Sequence, residues 1–161
     1  MSKRAKLVER VWAERRPDYF NDVEKAKEHM EKRSLEEDEP YKIPKMIYKS
    51  KVEDKDMFGC QMITFNDTDD AERLVIYLHG GIYVNEIVLP HITFCDKLAK
   101  KANACVFAPI YPLAPNHTYK ESYRIVEDLY NYFLSLEKPI TIMGDSAGGG
   151  LALAFAEYLG V

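Results

Sequence analysis

One short stretch of the sequence joins a strand pattern, a tight turn and a helix pattern. Ile140–Met143 is a β-branched apolar run, and the residues after it form a G-x-S-x-G pattern centred on Ser146. Leu151–Leu159 is then rich in alanine and leucine and contains no helix breaker. A serine on such a sharp strand-to-helix turn is held with its hydroxyl exposed, and small neighbours, here Gly144 and Gly148, are needed because the backbone is tight. The stretch therefore predicts a buried strand, an exposed serine and a helix.

Two phosphate-binding patterns that also depend on glycine do not fit this stretch. Gly144 and Gly149 have the spacing of the two glycines of a P-loop, but Gly150 and Leu151 stand where that motif requires lysine and a hydroxyl residue. A G-x-G-x-x-G dinucleotide pattern cannot be written across it either. We therefore do not expect these glycines to hold a nucleotide.

The composition is that of an ordinary soluble globular chain. Its 161 residues fit one domain by length, 47% of them are hydrophobic and 30% are charged. The net charge of −4 gives no electrostatic reason to expect nucleic acid or an anionic membrane as a partner. We expect no membrane span, because no apolar run approaches roughly 18 residues, and no signal peptide, because charged residues interrupt the N-terminus.

The three cysteines bear on the redox environment of the protein. Cys60, Cys95 and Cys105 are odd in number and lack C-x-x-C spacing, which disfavours a disulfide framework and a zinc site. All three lie in apolar segments, so we expect them to be buried as small hydrophobic residues. This pattern predicts a reduced, cytoplasmic protein.

Residues 1–45 are predicted to form a helical arm that is distinct from the core. Two sets of apolar residues recur at helical spacing, one between Leu7 and Trp12 and one between Phe20 and Met30. Asp18 or Asn21 is a candidate cap for the second helix. The arm fits either a segment packed on the surface or a lid over a site, and the sequence does not decide between them.

Residues 46–161 alternate strand and helix patterns, which predicts an α/β fold with a doubly wound, mostly parallel sheet. Ligands of such sheets bind beyond the carboxyl ends of the strands. The predicted strands are Met46–Val52, Met57–Phe65, Leu74–Leu78, Ala104–Ala108 and the run from Ile140, and the predicted helices are Val88–Ala102, Tyr119–Leu136 and Leu151–Leu159.

A second glycine motif lies at the carboxyl end of a predicted buried strand. Gly80 and Gly81 let the backbone turn tightly, so the N–H groups of this loop can point at a developing oxyanion. The N–H of Ala147, at the start of the helix after the serine, would be another donor with the helix dipole behind it. Together with Ser146, the two motifs predict an acyl-transfer site with a nucleophile and an oxyanion hole.

Three motifs carry a resemblance to a known family: His79-Gly80-Gly81, Tyr111-Pro112-Leu113-Ala114-Pro115 and Gly144-Asp145-Ser146-Ala147-Gly148-Gly149. In this order they resemble the N-terminal half of the α/β-hydrolase fold in its hormone-sensitive-lipase-like branch, which contains carboxylesterases and lipases. The resemblance places residues 1–45 like the cap of that branch, and implies a small ester as substrate without a metal or organic cofactor. The residues it implies are Ser146 as nucleophile, the N–H groups of Gly81, Ala147 and Gly80 or Ile82 as oxyanion donors, and His79, Gly144, Gly148 and Gly149 as supporting residues.

The chain departs from that branch in three respects, of which one, at Asn116 and Thr118 after the Ala-Pro pair, involves no catalytic position. Ile82 stands where the oxyanion loop of the branch has a third glycine, which keeps the N–H but adds a β-branched side chain. The triad of this fold follows the order Ser, then Asp or Glu, then His, yet Glu157 is the one carboxylate after Ser146 and no histidine follows it. The triad acid and base are therefore absent from this chain, and we expect the isolated chain to be inactive or weakly active.

The histidines before the serine offer no clear substitute for the base. His79 belongs to the predicted oxyanion loop, where we expect it to stabilise the loop, and His117 could face the same end of the sheet. His29 and His91 are interpreted as ordinary helix positions. Asp145 flanks the serine, so its side chain should point elsewhere, and we do not expect it to be the triad acid.

A sheet that stops after the serine helix leaves a hydrophobic strand with an unpaired edge, so we expect a second chain, a swapped protomer or further residues to cover it. Three hypotheses follow. The chain is the N-terminal half of a serine carboxylesterase, from a split, frameshifted or truncated gene; or a non-catalytic binding module; or a fragment without a stable fold. A binding module has no need for a strained serine turn, which favours the first.

Overall fold

The chain divides into two compact units, residues 1–37 and residues 38–161. The computed structural model describes residues 2, 6, 10, 18–36 and 39–160. The helix predicted between Leu7 and Trp12 lies outside these described residues.

The first unit contains a short 3-10 helix, Asp18–Asn21, followed by helix α1, Val23–Ser34. Asp22 caps α1, because its Oδ1 accepts hydrogen bonds of 3.0 and 3.3 Å from two backbone N–H groups of the first turn. The predicted cap, Asp18 or Asn21, is therefore wrong, since both residues belong to the 3-10 helix that ends just before Asp22.

The second unit is built on a mixed sheet of five strands within the described residues, in the order β1-β2-β4-β3-β5. The strands are β1 Val52–Met57, β2 Cys60–Phe65, β3 Arg73–Leu78, β4 Ala104–Pro109 and β5 Ile140–Gly144, and the helices are α2 Leu89–Ala102, α3 Tyr119–Leu134 and α4 Ser146–Leu159. Strand β3 lies parallel between β4 and β5, whereas β1 and β2 are antiparallel additions beside β4. The predicted α/β fold is confirmed.

The first two strands differ from their prediction. The single strand predicted over Met57–Phe65 is a hairpin, because Phe58 and Gly59 both have left-handed backbone angles, with φ of 58° and 69°. Two consecutive residues of this kind make the tight turn that joins antiparallel strands. The first strand thus lies in the charged segment Val52–Met57.

The strand predicted over Met46–Val52 is also wrong, apart from its last residue. The backbone N–H groups of Lys49 and Ser50 both donate to Oδ1 of Asp96 on α2, at 2.9 Å each. A backbone whose donors are taken by a side chain cannot use them in a sheet ladder. The segment is therefore held against α2 instead of pairing as a strand.

The core lies on both faces of the sheet. Alternate residues of β3 enter opposite clusters, Ile76 on the side of α3 and α4 and Val75 on the side of α2. Strands β3 and β4 are buried on both faces, as their continuous apolar runs predict. This packing fixes the carboxyl ends of β3 and β5 side by side, where both glycine motifs follow.

The cysteines are buried and free, as expected from their apolar surroundings. Burial raises the pKa of the Cys60 thiol to about 12 and also raises the pKa of Cys95 and Cys105. These thiols are therefore protonated near neutral pH. Across the described ranges, no helix has the length and apolar character needed to cross a membrane.

Candidate active site

Ser146 lies at the junction of β5 and α4. Its backbone has a φ of 48°, in the left-handed region that residues other than glycine rarely adopt. Strand β5 ends at Gly144 and α4 begins at Ser146, with Asp145 between them as the N-cap. The predicted strand, tight turn and helix are confirmed, and the backbone strain lies on the serine itself. The prediction that this strand is buried is wrong, because β5 has one neighbouring strand in the described sheet and its residues are half-buried or exposed.

The glycines around the serine are required by close packing. A Cβ on Gly144 or Gly148 would overlap the carbonyl oxygen of Leu78 at the end of β3, and one on Gly148 would also lie 2.5 Å from the carbonyl oxygen of His79. Gly149 is less constrained, since its Cβ would lie 3.2 Å from the oxygen of Gly144. The absence of side chains lets the start of α4 lie directly against β3.

The loop after β3 is strained over three residues. Gly81, Ile82 and Tyr83 have φ angles of 143°, 53° and 64°. A positive φ is a genuine outlier for a β-branched residue such as Ile82, so the substitution of the third glycine has a conformational cost. The carbonyl of Gly81 accepts hydrogen bonds from Val84 and Asn85, at 3.0 and 2.8 Å, which hold the turn closed.

Gly80 connects this loop to the serine turn. Its N–H donates to Oδ1 of Asp145 at 2.9 Å, and the hydroxyl of Tyr77 donates to the same oxygen at 2.6 Å. A Cβ on Gly80 would lie 3.0 Å from the Cβ of Ser146. The two glycine motifs are thus in direct contact, and the N–H of Gly80 is already bonded to Asp145.

The Asp145 carboxylate has a third neighbour, because His91 Nε2 lies 3.4 Å from its Oδ2. Burial alone would raise the pKa of Asp145, but the hydrogen bonds from Tyr77 and Gly80, together with His91, outweigh it and lower that pKa. In turn, burial and then the bond to Asp145 raise the pKa of Tyr77. The side chain predicted to point away from Ser146 therefore points at β3 and its loop.

Sequence reasoning missed Tyr77 and His91. His91 was interpreted as an ordinary helix position, yet it occupies the first turn of α2 and faces Asp145. One signal was present: Tyr77 interrupts the aliphatic run of a buried strand with a polar group, and a buried tyrosine hydroxyl needs a partner.

His79 is buried beneath the loop. Its ring stacks on Tyr111 with centroids 4.4 Å apart, and its Nδ1 lies 2.8 Å from the carbonyl oxygen of Gly80. Tyr111 donates its hydroxyl to the carbonyl oxygen of His79 at 2.5 Å. Burial lowers the pKa of His79 to about 4. These contacts suit the loop-stabilising role that we predict for it.

The other two histidines lie elsewhere. His29 stacks on Tyr19 within the first unit, with ring centroids 4.1 Å apart. His117 lines a mainly apolar cavity of about 250 Å³ between the loops after β3 and β4 and the helices α3 and α4. Tyr83 and Gly150, which lie just after the two glycine motifs, form part of its wall. The described residues contain no group of three His, Cys, Asp or Glu side chains placed to hold a metal ion.

Comparison with known proteins decides the family. Residues 75–160, more than half of the chain, match the sequence profile of a family described as having the alpha/beta hydrolase fold. The chain belongs to the α/β-hydrolase fold family. The resemblance drawn from the three motifs is confirmed by this match.

Relatives in this family carry esterase names. The chain is 35% identical over 89 residues to an esterase of Acinetobacter venetianus, covering 53% of the chain and 29% of that protein. It is 32% identical over 124 residues to neutral cholesterol ester hydrolase 1 of Mus musculus, covering 68% of the chain and 30% of that protein. The chain thus spans less than a third of the length of these curated relatives.

A solved structure from Staphylococcus aureus shares the fold. It superposes with a TM-score of 0.82 at 24% identity, over 92% of this chain and 53% of the Staphylococcus protein. The two proteins therefore share the fold over nearly all of this chain.

Proposed function

We propose that this chain carries the nucleophile and the oxyanion hole of a serine carboxylic-ester hydrolase that acts on small esters. Ser146 attacks the ester carbonyl as a base takes its proton, and the bond to the alcohol breaks, so that the alcohol leaves with a proton and a covalent acyl-enzyme remains. Water then hydrolyses the acyl-enzyme, which releases the carboxylic acid and restores the serine. The observation that carries the proposal is the strained φ of 48° at Ser146, which lies against Gly80 of a loop whose Ile82 is also strained, with a φ of 53°. Strain of this kind is retained at sites where it serves a function. The esterase names of the relatives support an ester as substrate.

Three backbone N–H groups are the proposed oxyanion donors, those of Gly81, Ile82 and Ala147. Ala147 lies in the first turn of α4, where N–H groups have no partner within the helix and the dipole favours negative charge. Further along the helix, the N–H of Gly149 donates to the carbonyl of Asp145 at 3.2 Å. We leave Gly80 out of the set, because its N–H is donated to Asp145.

The base is proposed to come from a further polypeptide segment that adds a strand to β5. Neither ring nitrogen of His91 is available, since Nδ1 accepts from Val88 and Nε2 faces Asp145, and His79 is buried beneath Tyr111. Among the strands in the described part of the chain, β5 has β3 as its sole neighbour. An open strand edge is a ready template for another chain.

A fluorophosphonate probe tests the nucleophile directly. We expect the purified chain to be labelled at Ser146 and the label to be lost in Ser146→Ala, as mapped by peptide mass spectrometry. Added imidazole, a small substitute for the missing base, should increase the labelling rate. The matched control is Ser135→Ala, because Ser135 bonds the carbonyl of Tyr132 at the end of α3, away from the site. A stable chain that binds esters yet never labels Ser146 would support a binding module instead.

A further inference from the structure

We infer that Asp145 is a positioning residue: its carboxylate is drawn away from capping α4 to hold the oxyanion loop, which leaves the N–H of Ala147 free for the oxyanion. His91 and Tyr77 hold the carboxylate in this place. The catalytic meaning of this inference rests on the proposed function, whereas the arrangement itself can be tested without any activity.

Asp145 stands at the start of α4 but does not cap it with its side chain. An aspartate at the N-cap normally accepts a hydrogen bond from the backbone N–H of the second or third residue of the helix. Asp145 occupies the N-cap with extended backbone angles but makes no such bond with its side chain. The second residue of α4 is Ala147, whose N–H a conventional cap would have occupied.

Oδ1 of Asp145 accepts two hydrogen bonds. This one oxygen accepts from the hydroxyl of Tyr77 at 2.6 Å and from the N–H of Gly80 at 2.9 Å. Tyr77 lies on the rigid strand β3 and is only 3% exposed, so its hydroxyl is a fixed point. Asp145 directly precedes Ser146, and Gly80 directly precedes Gly81. The shared oxygen therefore sets the distance between the nucleophile and the oxyanion loop.

The tautomer of His91 follows from its position in the first turn of α2. The N–H of Val88 donates to His91 Nδ1 at 3.1 Å, so this nitrogen presents its lone pair. The proton of the neutral ring then belongs on Nε2, which faces Oδ2 of Asp145 at 3.4 Å. The N-terminus of α2 thus selects the tautomer that can donate to the carboxylate.

A carboxylate beside a forming oxyanion would oppose its charge if it were left alone. Two hydrogen-bond donors, Tyr77 and Gly80, share the charge of Asp145 Oδ1, and the His91 ring lies 3.4 Å from Oδ2, so both oxygens face β3 and α2. The lowered pKa of Asp145 agrees with this stabilisation. The arrangement holds the loop without taking up a proposed oxyanion donor.

Asp145→Asn tests the inference by hydrogen exchange of single amides. Asparagine is among the best N-cap residues, but its amide nitrogen would meet the Nε2–H of His91, donor against donor. We expect the new side chain to turn back and cap α4. The amide of Gly80 should then lose at least about tenfold in protection, while the amide of Ala147 gains protection. General destabilisation would expose both amides and could not produce these opposite changes.

The matched control is Asp70→Asn, an exposed carboxylate in the turn before β3. Tyr77→Phe removes one donor and should give a smaller loss at Gly80, and nitrogen NMR of the unmodified chain should find the proton of His91 on Nε2. Labelling of Ser146 by the fluorophosphonate should slow by about tenfold to a hundredfold in Asp145→Asn, since misplacement of about 1 Å has this effect.

The outcomes separate the two proposals. Equal protection of Gly80 in Asp145→Asn and Asp70→Asn would overturn the positioning role, whatever happens at Ser146. Unchanged labelling of Ser146 despite opposite changes at Gly80 and Ala147 would also overturn it. Absence of label in every variant, including the unmodified chain, would contradict the proposed function, while the amide changes would still establish how the loop is held.

Discussion

The two edges of the sheet are built from opposite kinds of residue. Strand β1 presents Glu53, Asp54, Lys55 and Asp56 in sequence, whereas β5, Ile140–Gly144, carries no charge. Charged side chains on an edge strand discourage another strand from pairing with it. The contrast agrees with the proposal that a further strand adds to β5 and not to β1.

The turn that follows β1 and the turn that follows β5 also differ, in how tightly they are packed. The hairpin turn of β1 and β2 leaves open space around Gly59, whereas Gly148 after β5 is pressed against the carbonyl groups that end β3. Both turns contain residues in the left-handed region. Tight packing, rather than an unusual backbone angle alone, therefore distinguishes the serine turn from an ordinary hairpin.

The largest expected effect comes from placing a methyl group in each of these turns. Gly148→Ala should lower the free energy of unfolding by about 3 kcal/mol, because the methyl overlaps backbone oxygens and can be relieved only by moving α4 away from β3. Gly59→Ala meets no neighbour and should cost about 1 kcal/mol, from its φ of 69°. Urea denaturation of both variants measures the difference, and equal costs would remove the contrast between the two turns.

Lowering the pH should destabilise the folded chain through His79, which directly follows β3. Burial lowers the pKa of His79 in the folded protein from 6.5 to about 4. Below pH 6.5 the unfolded chain binds a proton that the folded chain does not accept until about pH 4. The stability that neutral His79 contributes is thus complete above pH 6.5 and falls through this window, by at most about 3 kcal/mol.

His79→Phe isolates this effect, because phenylalanine keeps a ring against Tyr111 but does not titrate. The unfolding free energy of the unmodified chain minus that of the variant should fall as the pH is lowered from 6.5 to about 4. Parallel curves across that range would show that His79 is not buried in its neutral form.

The smallest expected effect concerns the open edge itself. Thr141 lies on β5 with its side chain exposed, and we expect Thr141→Lys to weaken association through this edge by about tenfold, or about 1.4 kcal/mol. The matched change on the other edge is Asp54→Lys on β1, which should leave association unchanged. Sedimentation across a concentration series measures both, and an equal response of the two variants would contradict the assignment of β5 as the accepting edge.

Much of the fold could be predicted from local pattern. Strands β3 and β4 are continuous apolar runs, and they are buried on both faces, as such runs indicate. Strand β5 was also predictable as a strand, but its residues are half-buried or exposed, because β3 is its one neighbour among the described strands. The charged strand β1 escaped prediction because its pairing with β2 depends on the turn at Gly59 and not on its own apolar pattern. Residues 46–51 were misassigned because Asp96, distant in sequence, takes their backbone donors.

The candidate site was likewise predictable where a local sequence pattern specifies it, and unpredictable where contacts distant in sequence build it. The backbone of the serine turn was predictable, because glycine spacing reports where a side chain cannot fit. The contacts of Asp145 with Tyr77, Gly80 and His91 were not, since they join residues 54 or more positions apart through side chains whose directions no local pattern specifies. Tertiary structure alone brings these groups to one carboxylate.

Acylation of Ser146 is the most direct test of the central claim that this turn and loop form an acyl-transfer site. The purified chain would be incubated with p-nitrophenyl butyrate and imidazole, digested, and mapped by mass spectrometry. We predict a butyryl group on Ser146 that is absent from Ser146→Ala and far in excess of that on any other serine. Butyryl groups spread evenly over exposed serines, or none on Ser146, would contradict the account.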